Sequence, residues 1–231
     1  MNQQTTGIDA RIALYVDGAQ PVTARTMDAV RAVCERVEDG AFEGPVVVLV
    51  SGAPDGGWAE GLALAQVNKW ERVLRRLECL PVPTVAIAEG SCGGPALDAL
   101  LATDYRIAAG PVRLAMPAAS GAVWPGMALY RLVHQASSPA AARRAVLFGA
   151  DLDTGAALDA QLLDEAAADL DEALAIVGKL VGGLSGEELA VRRRLLFEAG
   201  TTAFDEALGA HLAACDRMLR RVAADTAKAA A

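Results

Sequence analysis

The amino-acid sequence predicts an α/β fold with a helical C-terminal part. Apolar strand segments alternate with helical periods through the first half of the chain, and the last eighty or so residues carry almost only helical spacing. One segment, "PVVVLVSG", is a continuous β-branched run of the kind that needs cover on both faces, as in a parallel sheet. The organisation that follows is a core over residues 1–150 and a helical region over residues 151–231.

The elements follow in order. "RIALYVDG" alternates toward apolar residues and stops at Asp17-Gly18, a strand with a turn. "TARTMDAVRAVCERVED" places Met27, Val30, Val33 and Val37 on one helix face behind Thr23, a plausible N-cap. After "PVVVLVSG" come the glycine-rich loop "APDGGWAEG" and the long helix "LALAQVNKWERVLRRLECL", stopped by Pro81 and Pro83. "TVAIAEG" is a third apolar strand. Then follow the helix "PALDALLAT", the segments "DYRIAA" and "VRLAMPAAS", and "WPGMALYRLVHQ". Near the end, "GLSGEE" reads as a helix start with Ser185 as N-cap and Glu188 at the capping-box position, and "RRVAADTAKAAA" is expected to fray.

Composition excludes several functions. The chain has 231 residues, 53% of them apolar, enough to bury a core without staples. Its net charge of −8 and scattered basic residues speak against a nucleic-acid partner. Cys34, Cys79, Cys92 and Cys215 lie far apart with no C-x-x-C pair, as reduced thiols do, and no metal site is expected. The N-terminus has neither a basic start nor an apolar run, and no segment reaches the ~18 apolar residues that span a bilayer. A cytoplasmic protein without a membrane partner is expected.

The stretch "EGSCGGPALDAL" carries the chemistry. A glycine turn running into a helix suits an anion, because free N–H groups gather there. Pro95 stands among them without one.

This turn, preceded by a strand and followed by an Asp at the start of the next strand and a "P-x-x-x-G-x-x-x-P-G-M" segment, resembles the crotonase (enoyl-CoA hydratase/isomerase) superfamily. The likeness runs through "VVVLVSG" with "WAEGLAL", "PTVAIAEGSCGGPALDALLATDYRIAA", "VRLAMPAASGAVWPGMALYRL" and "RRAVLFGADLDTGAALDAQLLDEAA", in that order, over about residues 12 to 215. It implies a crotonase-like spiral of ββα units that binds an acyl-CoA substrate, uses no cofactor, and holds the thioester oxygen between two backbone N–H groups. By that resemblance the first donor is Leu62, after Gly61 lets the chain approach the ligand. The second falls at Pro95. Either Pro95 stiffens a helix start, its N–H being an orphan there anyway, or the turn is shifted so that Gly94 or Ala96 donates, Gly94 being the candidate carried forward. Losing one such donor costs on the order of 3 kcal/mol of transition-state stabilisation in a hydrolase.

The resemblance also implies two glutamates that position a water, one on the helix after the turn and one after the later proline. Here these positions are Asp98 and Ala118. Asp98 is the candidate acid or base if burial raises its pKa, and otherwise interacts with the helix dipole. Trp58 and Glu60 fall in the loop that contacts the coenzyme, and Trp124 joins Trp58 as a candidate border of the acyl pocket. Cys92 lacks a neighbouring histidine, His134 and His211 read as surface groups, and Asp104 reads as structural. The family's closing pattern, E-G-x-x-A-F-x-x-K-R-x-P, is missing, so coenzyme affinity should suffer.

Within the superfamily, "KWERVLRRLE", "GSCGGPALDALLATDYRIAA", "WPGMALYRLV" and "TTAFDEALGAHLAACDR" resemble the hydratase-like accessory proteins of 3,5-dihydroxyphenylglycine biosynthesis in glycopeptide antibiotic pathways. That likeness implies an enoyl-CoA hydratase-like lyase, a dehydratase with an incomplete catalytic set. Its partners would be a type III polyketide synthase and a second crotonase homologue, and its product 3,5-dihydroxyphenylacetyl-CoA. The rival readings are a stand-alone enoyl-CoA hydratase or isomerase and a non-catalytic scaffold that binds the partner enzyme. A homotrimer or hexamer joined through the helical region is implied in each case.

Overall fold

Alternating faces of one strand set the architecture. In β2, Val46, Val48 and Val50 join the larger core cluster while Val47 and Leu49 join a second one, so both sides of the sheet are covered. A slip of one residue would exchange the two sets, which pins the register. The computed structural model describes residues 13–40, 44–55, 58–119, 121–180 and 186–229. Contacts divide the chain into two compact units, Met1–Leu184 and Ser185–Ala231.

In the first unit the order is β1 (Leu14–Asp17), α1 (Ala24–Glu38), β2 (Val46–Gly52), α2 (Leu64–Glu78), β3 (Thr84–Cys92), α3 (Pro95–Leu101) and β4 (Tyr105–Leu114). The short strands β5 (Ala118–Ala119) and β6 (Ala122–Val123) follow, then α4 (Met127–Gln135), α5 (Pro139–Phe148), β7 (Leu152–Asp153), α6 (Thr154–Asp159), β8 (Glu165–Ala167) and α7 (Leu170–Leu180). Strands β1 to β4 pair in sequence and in parallel, β7 joins β4 antiparallel, and β8 pairs with β4 in parallel. "YRIAA" and "VRL", read in separate segments of the sequence, belong to the single strand β4.

Local chemistry explains the boundaries. The Thr26 N–H donates to Thr23 Oγ1 at 3.2 Å, and Met27, Val30, Val33 and Val37 are buried, as the periodicity predicts. Apolar residues of α1, α2 and α3 share the larger core with one face of the sheet; Ala173, Leu174 and Val177 of α7 cover the other. Asp104 acts as a clasp between β3 and β4. Its carboxylate accepts from Thr84 N at 2.8 Å and Thr84 Oγ1 at 2.9 Å, while its own N–H donates back to Thr84.

The second unit holds α8 (Glu187–Ala199) and α9 (Phe204–Ala229). Ser185 lies outside the described residues, and Gly186, at φ 85°, occupies the N-cap position. The end expected to fray is helical as far as Ala229, sustained by an alanine-rich sequence. Among the described residues no helix is long and apolar enough to cross a membrane.

Candidate active site

Three strand ends and a glycine turn meet under the candidate site. A Cβ on Gly18 would stand 2.3 Å from both Gly52 O and Gly93 O, so only glycine lets β1 end against β2 and the turn after β3. The Gly93 N–H donates to Gly52 O at 2.9 Å, and Gly94, at φ 50°, starts α3 with Pro95 in the first turn. The Ala96 N–H donates to Gly93 O at 3.1 Å and the Asp98 N–H to Gly94 O at 2.9 Å. Gly94 is thus the member of the 94 to 96 turn whose N–H has no bond among the described residues. The Leu62 N–H donates to Ala59 O at 3.1 Å and closes its own turn, with Gly61 at φ 74° beside it.

Beside Pro95 and Asp98 of α3 lies a cavity of about 20 Å³, room for a single water. Its apolar walls are Trp58, Leu62, Trp70, Pro95 and Trp124, and two carboxylates enter it, Asp98 and Glu71. Of the residues singled out in the sequence, the structure brings Trp58, Leu62, Asp98 and Trp124 together here. Glu60 is exposed, and neither it nor Gly61 nor Gly94 lines the cavity; Gly61 serves the turn next to it and Gly94 precedes the wall residue Pro95.

Indoles line the pocket, and one of them orients Asp98. Trp58 and Trp124 meet edge to face with ring centres 5.2 Å apart, a preferred aromatic geometry. The Trp58 Nε1–H donates to the carbonyl of Ala118 at 2.9 Å, and the Trp124 N–H to Pro117 O at 2.7 Å. Ala118, at the position where the sequence resemblance implies a second glutamate, thus carries only a methyl group and anchors an indole through its carbonyl. The Trp70 Nε1–H donates to Asp98 Oδ2 at 2.9 Å.

Burial governs the ionisation of Asp98. It raises the carboxyl to about 7; the charge of Glu71 adds to the rise, while the Trp70 bond and the charge of Arg131 oppose it. Asp98 keeps a partly open surface, so the group is both desolvated and reachable.

Glu71 was not legible as a site residue. It sits one position after Trp70 on α2, and its Oε2 accepts from Arg131 Nη1 at 2.9 Å. Arg131, on α4, is 7% exposed and also donates through Nε to Glu78 Oε1 at 2.5 Å. Burial raises Glu71 above the usual carboxylate range and the charge of Glu78 adds to the rise, against the charge and hydrogen bond of Arg131. For Arg131 burial pulls the other way, but the hydrogen bond and charge of Glu78, with those of Glu71, keep the guanidinium charged. The signal in the sequence was the spacing of Glu71 and Glu78: seven residues place two acids on one face of α2, which calls for a cation from another element.

The remaining candidates are structural. Cys92 is buried, points its thiol at Val50 O and Glu89 O, and is pushed by burial up to about 12, too high for a nucleophile. His134 stacks on Tyr130 at 4.0 Å and bonds its carbonyl, while His211 is exposed on α9.

An α/β fold in which the helix after a glycine turn brings a partly buried acid to a small apolar pocket matches the architecture of crotonase-type proteins. No protein-family model matches the chain. It is similar to a protein of Amycolatopsis orientalis named an enoyl-CoA hydratase, 46% identical over 216 residues, which cover 94% of this chain and 99% of that one. Its structure is similar to an enoyl-CoA hydratase/isomerase of Marinobacter aquaeolei, with TM-score 0.73 and 14% identity over 93% of this chain and 90% of that one. An enoyl-CoA hydratase of Bacillus anthracis gives TM-score 0.68 and 16% identity over 92% and 90%. The chain belongs to the enoyl-CoA hydratase family of the crotonase superfamily.

Proposed function

We propose that the protein removes water from a polyketide coenzyme A thioester, with Asp98 as the acid that protonates the leaving hydroxyl. The observation that carries this reading is Asp98 itself: a carboxyl held at about 7 by burial, bonded to Trp70 and open to an apolar cavity. An acid of that strength at neutral pH is suited to proton transfer. The Gly94 N–H is the donor offered to the thioester oxygen, and the Leu62 N–H joins it by releasing Ala59 O. An acyl group exceeds the present cavity, so its entry parts Trp58 from Trp124.

The finer assignment rests on the sequence strings shared with the accessory proteins of dihydroxyphenylglycine biosynthesis. On it, the protein works beside a type III polyketide synthase and a second crotonase homologue, in a homotrimer or hexamer joined through residues 151–231, and its dehydration completes the ring of 3,5-dihydroxyphenylacetyl-CoA. Loss of water there is driven by aromaticity, so a reduced catalytic set suffices. The test supplies the synthase with malonyl-CoA, with and without this protein. A higher yield of dihydroxyphenylacetyl product is expected, abolished by Asp98→Asn; an unchanged product profile overturns the assignment. Stimulation that survives Asp98→Asn would instead indicate a scaffold.

The name of the Amycolatopsis relative favours a second reading, a stand-alone enoyl-CoA hydratase. Turnover of crotonyl-CoA by the protein alone would support it, and none at saturating substrate would remove it.

A further inference from the structure

We propose that Glu71 is the second catalytic carboxylate of this pocket, taking the place of the side chain missing at Ala118. The inference rests on the thioester reading above. Glu71 comes from α2, an element that supplies neither of the acids the sequence resemblance implies, and it opens into the same one-water cavity as Asp98.

The two acids are held alike. Each has one oxygen anchored, Asp98 Oδ2 by Trp70 and Glu71 Oε2 by Arg131, and each keeps its other oxygen without a hydrogen bond among the described residues. Both are thereby fixed in orientation with an oxygen left for substrate or water. Charge balance points the same way. Glu78 alone would satisfy Arg131, and it also takes Arg75 at 3.1 Å. Arg131 is shared by two carboxylates, Glu71 and Glu78, and Asp98 beside them is bonded only by a neutral indole, which favours one proton shared between the pocket acids. Arg131 bonds Glu71 directly, so Glu71 is the ionised member and Asp98 the protonated one.

On a 3-hydroxyacyl thioester the step balances. The Glu71 carboxylate takes the proton from the α-carbon, and the C–H electron pair becomes the new α,β double bond. The bond from the β-carbon to oxygen breaks as Asp98 gives its proton to the departing hydroxyl, which leaves as water. Glu71 then returns its proton to Asp98 through the water just released. The substrate has lost one molecule of water and both acids are restored.

The experiment follows 3-hydroxybutyryl-CoA in D2O across the pH range and reads deuterium entry at the α-carbon separately from dehydration. Glu71→Gln keeps an oxygen for Arg131 and removes the base. It is expected to slow exchange about 100-fold or more and to erase the acidic limb of its pH profile, while Asp98→Asn lowers dehydration more than exchange. Glu71→Asp, which retains the carboxylate, is expected to recover part of the exchange, a rescue that a purely structural role would not give. Exchange at the wild-type rate in Glu71→Gln, with the acidic limb intact, overturns the inference alone. A wild-type protein inert in both exchange and dehydration overturns the inference and the stand-alone hydratase with it, while the synthase assay separately decides the polyketide reading. Should Glu71→Gln fail to fold, the wild-type dehydration profile decides: two limbs, one for each acid, support the pair, and a single limb overturns it.

Discussion

Replacing Asp98 with asparagine is expected to stabilise the protein while impairing it. In the fold the Asp98 carboxyl is raised from 3.8 to about 7, first by burial and then by the charge of Glu71. A carboxyl raised in this way favours the folded state only while protonated: that contribution is complete below the unfolded value and is lost as pH climbs through the folded one. At about 1.4 kcal/mol for each pH unit of separation, ionised Asp98 costs the native state about 4 kcal/mol above neutrality. The asparagine of Asp98→Asn has no charge to desolvate and keeps an oxygen for the Trp70 N–H. Urea unfolding of both proteins at about pH 4.5 and about pH 8 should show the variant's advantage growing by about 3 kcal/mol, or about 6–12 °C in Tm for a unit of this size. A gap that is the same at both pH values would refute this account of Asp98.

Two further outcomes follow from the same surroundings. Arg131→Met leaves Glu71 without its cation and Glu78 with Arg75 alone, which should cost about 3 kcal/mol in urea unfolding; the loss should ease toward acid pH, because burial already raises Glu71 and protonation removes its charge. Iodoacetamide at neutral pH should label the exposed Cys79 and Cys215 and spare Cys34 and Cys92, which burial raises to about 11 and about 12; mass spectrometry showing label on Cys92 in the folded protein would restore it as a candidate nucleophile.

Local rules made the scaffold readable. Thr23 caps a helix because a hydroxyl before an apolar period has one favourable use, and "PVVVLVSG" could only be a strand covered on both faces. The glycine turn and Asp98 were visible because they lie within one short stretch. Two things were not readable. Gly18 and Gly52 matter through close approach of chains distant in sequence, which no local pattern encodes. Glu71 meets Arg131 across sixty residues, and within "KWERVLRRLE" it looks like one member of a charged helix face. Ala118, read as a plain loss, also proved to be the carbonyl on which Trp58 is anchored.

The stretch bearing Asp98 is fastened at both ends, by the Gly93 amide on Gly52 and by the Asp104 clasp on Thr84. Its length is therefore fixed. One residue added or removed between Gly94 and Asp98 would swing the acid about 100° around the helix axis, away from the indole that orients it. This segment should reject every insertion or deletion across related chains.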